Sequence, residues 1–385
     1  MMKRLFILSV IVALSGSLLA SCSKETSVVK VPVASDVPIE FGVPQTKGAA
    51  ELSTLERLAA QDFSVSAWYT PDNETFGTGS TKYIDNHRFG TLDLINYSYW
   101  QGITHVGGDA ADPVYYPLDG TLTYFCYAPY REDISESSDV NVISNPASAI
   151  TDQLTNYLAG SPLICFTPSS PSTQIDFIAS TPLLDVSRTS GAIALDFTNH
   201  LTTNVQFWVK YSGTMLGTEG VVVSQIIIRD VIGSEYLYFT DSGGSLGCNW
   251  CTTISPEDPS SSTMPKVSYT LKTDTSELQN IYLDTVDPVH VNQSINGFLY
   301  LLPQTLPEDS YLDIQYSIRN RVSNADIDVN TISIPLYGTA DWPKGKIVKY
   351  TITIDVANRK DISLSATIVD WADSGNSHTE TELMY

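Results

Sequence analysis

The chain reads as one short strand after another, and this pattern constrains its fold more than any other feature. Val37-Pro38-Ile39-Glu40-Phe41-Gly42-Val43 alternates without a fault, with its apolar side chains on one face. Phe63, Val65, Ala67 and Tyr69 alternate with Ser64, Ser66 and Trp68. Further strand-like runs lie at 122–127, 174–178, 192–197, 204–211, 221–228, 236–239, 267–271, 298–302, 311–318, 332–337, 348–356 and 362–371. Clusters of Gly, Pro, Asn, Asp and Ser separate them. Pro335 inside one run marks it as an edge or bulged strand. Helical periodicity is scarce. Leu52, Leu55, Leu58 and Ala59 fit one turn of helix, and Ile150, Leu154, Tyr157 and Leu158 fit a short one with Thr151 near its start. The expected fold is all-β, and the strands are too many for one sandwich. Two β-sandwich domains in tandem are expected, dividing near 185–191, where Ser187-Arg188-Thr189-Ser190-Gly191 interrupts the apolar pattern.

The N-terminus carries an address. Met1-Met2-Lys3-Arg4 is a basic start, and residues 5–14 are an apolar run too short for a permanent span. Leu19-Ala20-Ser21-Cys22 has the form of a lipobox. Residues 1–21 are thus expected to be removed as a signal peptide, with Cys22 lipidated. Two or more acyl chains anchor stably where one is marginal. The chain is therefore expected to be exported and held at a membrane surface. Its 43 acidic and 21 basic residues give a formal net charge of -22, which disfavours nucleic acid as a partner.

Motifs for chemistry are weak. Cys126, Cys165, Cys248 and Cys251 are too few for a disulfide scaffold. Cys248-Asn249-Trp250-Cys251, between glycines and Thr-Thr-Ile-Ser-Pro, reads as a loop closed by a local disulfide. No second CxxC or spaced histidine pair supports zinc. Asp241-Ser242-Gly243-Gly244 is similar to a serine-protease nucleophile segment, yet the five histidines are scattered and Thr240 stands where that segment has glycine. Asp109 and Asp112, and Asp72-Asn73-Glu74, lack EF-hand spacing and read as solvated loops. No catalytic residue, cofactor or metal is expected. Trp208 and Trp371 fall on strand faces opposite the buried ones, a hint of exposed or interfacial aromatics.

Several segments together resemble the fimbrillin family of Bacteroidales lipoproteins, whose members build type V pili. They are Ile39-Glu40-Phe41 followed by Thr46-Lys47-Gly48, the run 63–69, Tyr116-Pro117-Leu118-Asp119-Gly120 leading into Tyr124-Phe125-Cys126-Tyr127-Ala128-Pro129, Phe197-Thr198-Asn199-His200-Leu201, Leu299-Tyr300-Leu301-Leu302-Pro303-Gln304-Thr305 and Ile368-Val369-Asp370-Trp371. The resemblance implies transthyretin-like sandwiches and a structural or adhesive subunit, stalk or tip, rather than an enzyme. It implies an outer-membrane lipoprotein precursor that a protease cuts, so that the first strand leaves and a strand of the next subunit fills the groove. That step is β-augmentation. On this chain the implied parts are a prosegment at 22–47, an N-terminal sandwich at 48–188 and a C-terminal sandwich at 189–385. Val37, Ile39, Phe41 and Val43 would fill the groove. Lys47-Gly48 would be cut, with Arg57-Leu58 as the alternative. Thr379, Thr381, Leu383 and Tyr385 would be the donor strand. The partners are other fimbrial subunits, the outer membrane, the processing protease and a host or bacterial surface ligand. A surface glycan-binding lipoprotein with the same β-architecture is the alternative.

Overall fold

A computed structural model describes residues 32–42, 62–90, 99–102, 113–131, 140–171, 173–174, 176–189, 191–197, 199–272, 282–283, 286–294, 299–357 and 362–371. Those from Val33 onward belong to one compact unit. The described residues form 24 strands and two four-residue helical segments, so the all-β expectation holds.

The largest sheet has nine strands. Along it run β12 (Ile193–Ala194), β2 (Phe41–Gly42), β5 (Tyr99–Gly102), β4 (Thr81–Gly90), β3 (Phe63–Thr70), β7 (Thr121–Ala128), β10 (Ile178–Ala179) and β13 (Asn199–His200), and β11 (Leu183–Ser187) also pairs with β7. A small pair, β1 (Ala34–Pro38) and β6 (Tyr115–Pro117), lies beside it in sequence. A four-stranded sheet runs β17 (Leu246–Cys251), β16 (Glu235–Asp241), β9 (Leu163–Phe166), β8 (Val140–Ile143). It packs on the nine-stranded sheet through Trp68, Phe125, Tyr127, Phe166, Leu237 and Phe239. On the opposite face of β3 and β7 a second core gathers Phe63, Val65, Leu122, Tyr124 and Cys126. Strand β3 is therefore buried at all eight positions, and Ser64 and Ser66 are satisfied by Asn86. Period-two polarity here does not mean one wet face; small hydroxyls with a fixed partner can be buried.

The later residues make two facing sheets. One runs β19 (Val289–His290), β14 (Thr203–Ser212), β23 (Lys346–Asp355), β24 (Ile362–Asp370), with β20 (Tyr300–Leu301) also on β14. The other runs β18 (Lys266–Lys272), β15 (Glu219–Ile232), β21 (Tyr311–Asn320), β22 (Asp326–Pro335). Their core includes Phe207 stacked on Tyr350, with Val221, Ile226, Ile314 and Tyr316. Pro335 ends β22, which pairs only with β21, as its missing N–H requires. Between the two-residue strands β19 and β20, the side chain of Asn292 completes the ladder: it accepts from the Phe207 N–H (2.7 Å) and donates to the Val205 carbonyl (3.0 Å).

Three strand pairings among the described residues cross residue 188: β12 with β2, β13 with β10, and β16 with β9. The hairpin β16–β17 thus leaves the later sheets and joins an earlier one.

Two local expectations are corrected. Residues 248–251 are not a loop but the end of β17, paired with β16. Cys248 and Cys251 are not bonded to each other; both are free and buried. Three residues apart on a strand, they point to opposite faces. Cys248 enters the core with Trp68 and Phe239, while Cys251 packs with Ile150 and Tyr238. The expected helix around Leu154 is a single turn, α1 (Ser148–Thr151), with no side-chain cap on Ala147. Ile150, Leu154 and Leu158 are buried all the same. The second helical turn, α2 (Val291–Ser294), carried no periodicity to find.

Candidate functional site: the N-terminal strand

The alternation at 37–42 is realised as burial. Val37 is half-buried, Ile39 is 2% exposed and Phe41 is 0% exposed, while Pro38 points out. Three backbone contacts fix the run against its first neighbour. The Leu118 N–H donates to the Val33 carbonyl (2.8 Å), β1 pairs with β6, and the Ile39 N–H donates to Val114 (2.7 Å). The chain then enters the nine-stranded sheet. Phe41 stands opposite Trp100 of β5 in an antiparallel pair and opposite Ile193 of β12 in a parallel pair. The Ile193 N–H donates to the Glu40 carbonyl (2.8 Å). At 41–42 the segment is an inserted strand with a neighbour on each side, not an edge.

Its side chains plug the core. The Phe41 ring meets Phe63 (5.7 Å), Phe89 (5.0 Å) and Tyr124 (5.6 Å), each edge to face, the arrangement that ring quadrupoles favour. Phe63 also meets Phe197 at 5.4 Å. Ile39 joins the same cluster and Val37 packs against it. The buried hydroxyls of Tyr116 and Tyr124 line this core, and burial pushes both titrations up, so they stay neutral. Each large apolar side chain so buried contributes about 1.5–3 kcal/mol. Withdrawing residues 39–42 would uncover β5 and β12 along one edge each and open a slot above Phe63, Phe89 and Tyr124.

Val43, Lys47, Gly48, Arg57, Leu58, Cys22, Thr379, Thr381, Leu383 and Tyr385 lie outside the described residues. Of the slot's two walls, β12 falls within the strand expected at 192–197, whereas β5 escaped the sequence reading, its four residues being too few to show a period.

The other candidates are accounted for by turns and stacks. Asp241-Ser242-Gly243-Gly244 is the β16–β17 turn, with Gly243 and Gly244 at positive φ and the Gly244 N–H donating to Asp241 (2.6 Å). Asp72 accepts from the Gly120 N–H (2.9 Å). Among the described residues no three His, Cys, Asp or Glu side chains gather as a metal set, and no helix is long and apolar enough to cross a membrane. Trp371 stacks on His200 (4.3 Å) and Tyr300 (5.8 Å), and His200 Nδ1 lies 3.0 Å from Asp176. Trp208 stacks on His290 (4.5 Å) on the outer face of its sheet. Both tryptophans are half-buried.

The described residues form a layered all-β fold in which Phe41–Gly42 is inserted between β5 and β12. The family comparison then gives the particular group: a fimbrillin-like model matches residues 56–371, and the chain belongs to the fimbrillin-like family. In fold it is similar to a fimbrial protein from Bacteroides vulgatus ATCC 8482 at 16% identity, covering 86% of this chain and 99% of that one, with a TM-score of 0.55. A candidate cell adhesion protein from Bacteroides uniformis ATCC 8492 matches at 14% identity over 87% of this chain and 98% of that one, with a TM-score of 0.45. No curated protein matches the chain.

Proposed function

We propose that the protein is a structural or adhesive subunit of a type V fimbria, exported as a lipoprotein on Cys22 and assembled by protease-triggered strand exchange. The observation that carries this reading is the placement of Ile39 and Phe41: buried among aromatic rings, on a strand flanked by β5 and β12. Cutting after Lys47 or after Arg57 would free that strand from the rest of the chain. The slot would then accept an incoming strand with apolar side chains at alternate positions. The segment with Thr379, Thr381, Leu383 and Tyr385 is the proposed donor. The division at 22–47, 48–188 and 189–385 belongs to the same proposal, with the β16–β17 hairpin lent by the later unit to the earlier one.

Limited trypsin digestion of the Cys22→Ala precursor tests it, with N-terminal sequencing and SDS gels. The expected result is a new terminus at Gly48 or Leu58, loss of the preceding strand and ladders of SDS-resistant oligomers. A chain that resists cutting there, or that is cut yet stays monomeric with 37–43 bound, would sink the strand-exchange reading.

A further inference from the structure

The first strand offers its slot only hydrocarbon side chains. Val37, Ile39 and Phe41 are the ones it turns into the core, and Val43 is next in the same alternation. The floor they meet is not all hydrocarbon. Tyr116 of β6 and Tyr124 of β7 are both 0% exposed in that core. Tyr124 meets the Phe41 ring at 5.6 Å. Tyr116 lies one step along from the Pro38–Tyr115 pair, which places it beside Val37. The ring of His87 touches Phe89 at 5.4 Å, and Phe89 touches Phe41 at 5.0 Å.

Neither phenol oxygen, nor His87 Nε2, has a hydrogen-bond partner among the described residues. The two phenols lie near enough to couple with each other. Even a bond between them would leave one O–H without an acceptor. Their neighbours in the same sheet are treated differently. Tyr69 of β3 donates to Asp119 (2.9 Å), and Tyr127, further along β7, donates to Asn86 (2.8 Å). Buried hydroxyls are normally paired, because an unpaired one has given up water and gained nothing. The slot therefore holds polar groups that its present occupant does not answer.

The proposed donor segment differs from the first strand at this point. Thr379, Thr381, Leu383 and Tyr385 repeat the four-place alternation of Val37, Ile39, Phe41 and Val43, but carry hydroxyls at three of the four places. Laid in the same direction with Leu383 in the place of Phe41, the segment puts Thr381 in the place of Ile39 and Thr379 in that of Val37, beside Tyr116.

We infer that the slot selects its lasting strand by side-chain hydroxyls: its floor is matched to the tail of a second copy of this chain, with Thr379 and Thr381 turned toward Tyr116 and Tyr124, rather than to the chain's own first strand. The inference rests on the strand-exchange reading above and names the chemistry of its partner. A strand of valines and isoleucines would bury apolar surface and leave the phenols as they are. A strand with threonines at the same places gives them partners, so exchange gains bonds that the first strand lacks.

The test adds trypsin to the full-length Cys22→Ala chain and titrates ladder formation with a synthetic peptide of residues 373–385. A second peptide carries Thr379→Val and Thr381→Val, which keep the side-chain shape and remove both hydroxyls. The natural peptide is expected to halve ladder formation at an about tenfold lower concentration than the valine peptide. That difference is expected to vanish on a Tyr116→Phe/Tyr124→Phe chain. Equal or better blocking by the valine peptide on the native slot would overturn the inference, as would ladders that the natural peptide fails to block. The uncut chain gives a readout that does not depend on exchange. Ile39→Thr and Ile39→Val differ by a hydroxyl in place of a methyl, and a buried threonine without a partner is the less stable of the two. Here Ile39→Thr is expected to unfold in urea at or above the midpoint of Ile39→Val, and below it once Tyr116 and Tyr124 are replaced by phenylalanine. A lower midpoint for Ile39→Thr on the native floor would overturn the inference whether or not ladders form. Absence of ladders with the expected Ile39 order overturns strand exchange, and the tail as donor with it, and upholds the preference of the floor for a hydroxyl.

Discussion

Two strands of this molecule share an alternating sequence and have opposite fates. Residues 37–42 place Ile39 and Phe41 in a core and have partners on both sides at 41–42. Strand β22 also alternates, with Ile327, Val329, Thr331 and Ser333 on one face, yet it pairs only with β21 and leaves Ile327 50% and Val329 54% exposed. Both make main-chain ladders, on two sides at 41–42 and on one side in β22. They differ also in the side-chain plug: Ile39 and Phe41 are buried, whereas Ile327 and Val329 stand half-exposed.

The largest expected effect is at that plug. Phe41→Ala removes a fully buried ring and should cost about 3–5 kcal/mol in urea unfolding, whereas Val329→Thr should stay within about 0.5 kcal/mol. Equal losses would break the comparison. Next comes Glu235, whose carboxyl is fully buried on β16 with neither oxygen hydrogen-bonded. Burial pushes its titration up to about 8. The folded acid then keeps its proton while the unfolded chain releases it near 4.5. Between those values the unfolded state binds fewer protons, so stability falls as pH rises and the loss is complete above about 8. Glu235→Gln should raise the thermal midpoint more at pH 8 than at pH 5; an equal shift at both would remove the titration account. A smaller effect is expected at Asn292, whose amide substitutes for ladder bonds at Val205 and Phe207. Asn292→Ala should cost about 1–3 kcal/mol, with faster amide exchange at Phe207 as its local mark.

The comparison also shows what the sequence could and could not carry. Long alternating runs such as 204–211 and 348–356 were legible because a period needs several turns of the pleat to show. The apolar face of 37–43 was legible for the same reason, and Ile39 and Phe41 are buried as that face requires. Of the walls that hold it, Ile193–Ala194 lies within the run at 192–197, whereas Tyr99–Gly102 was not legible, because four residues carry no period. The CxxC misled: glycines before it and Pro256 after it suggested a loop, yet those glycines serve the turn at 243–244 and the strand begins at Leu246. Asn292 and Glu235 gave no signal, since a lone amide or acid acquires its role only from distant backbone. Trp208 was half legible: its strand face was readable, but the His290 and Lys349 beside it come from other strands.

The hairpin that crosses from the later sheets to the earlier one has a kinetic consequence. The core at Trp68 and Phe125 closes only when Leu237, Phe239 and Cys248 arrive. A chain made from its N-terminus therefore cannot finish its first layers until residue 251 of 385 has emerged. Contacts so distant in sequence slow folding and prolong the life of partly built sheets. The core that seats Ile39 and Phe41, by contrast, draws on no residue beyond Phe197 and does not wait for that hairpin.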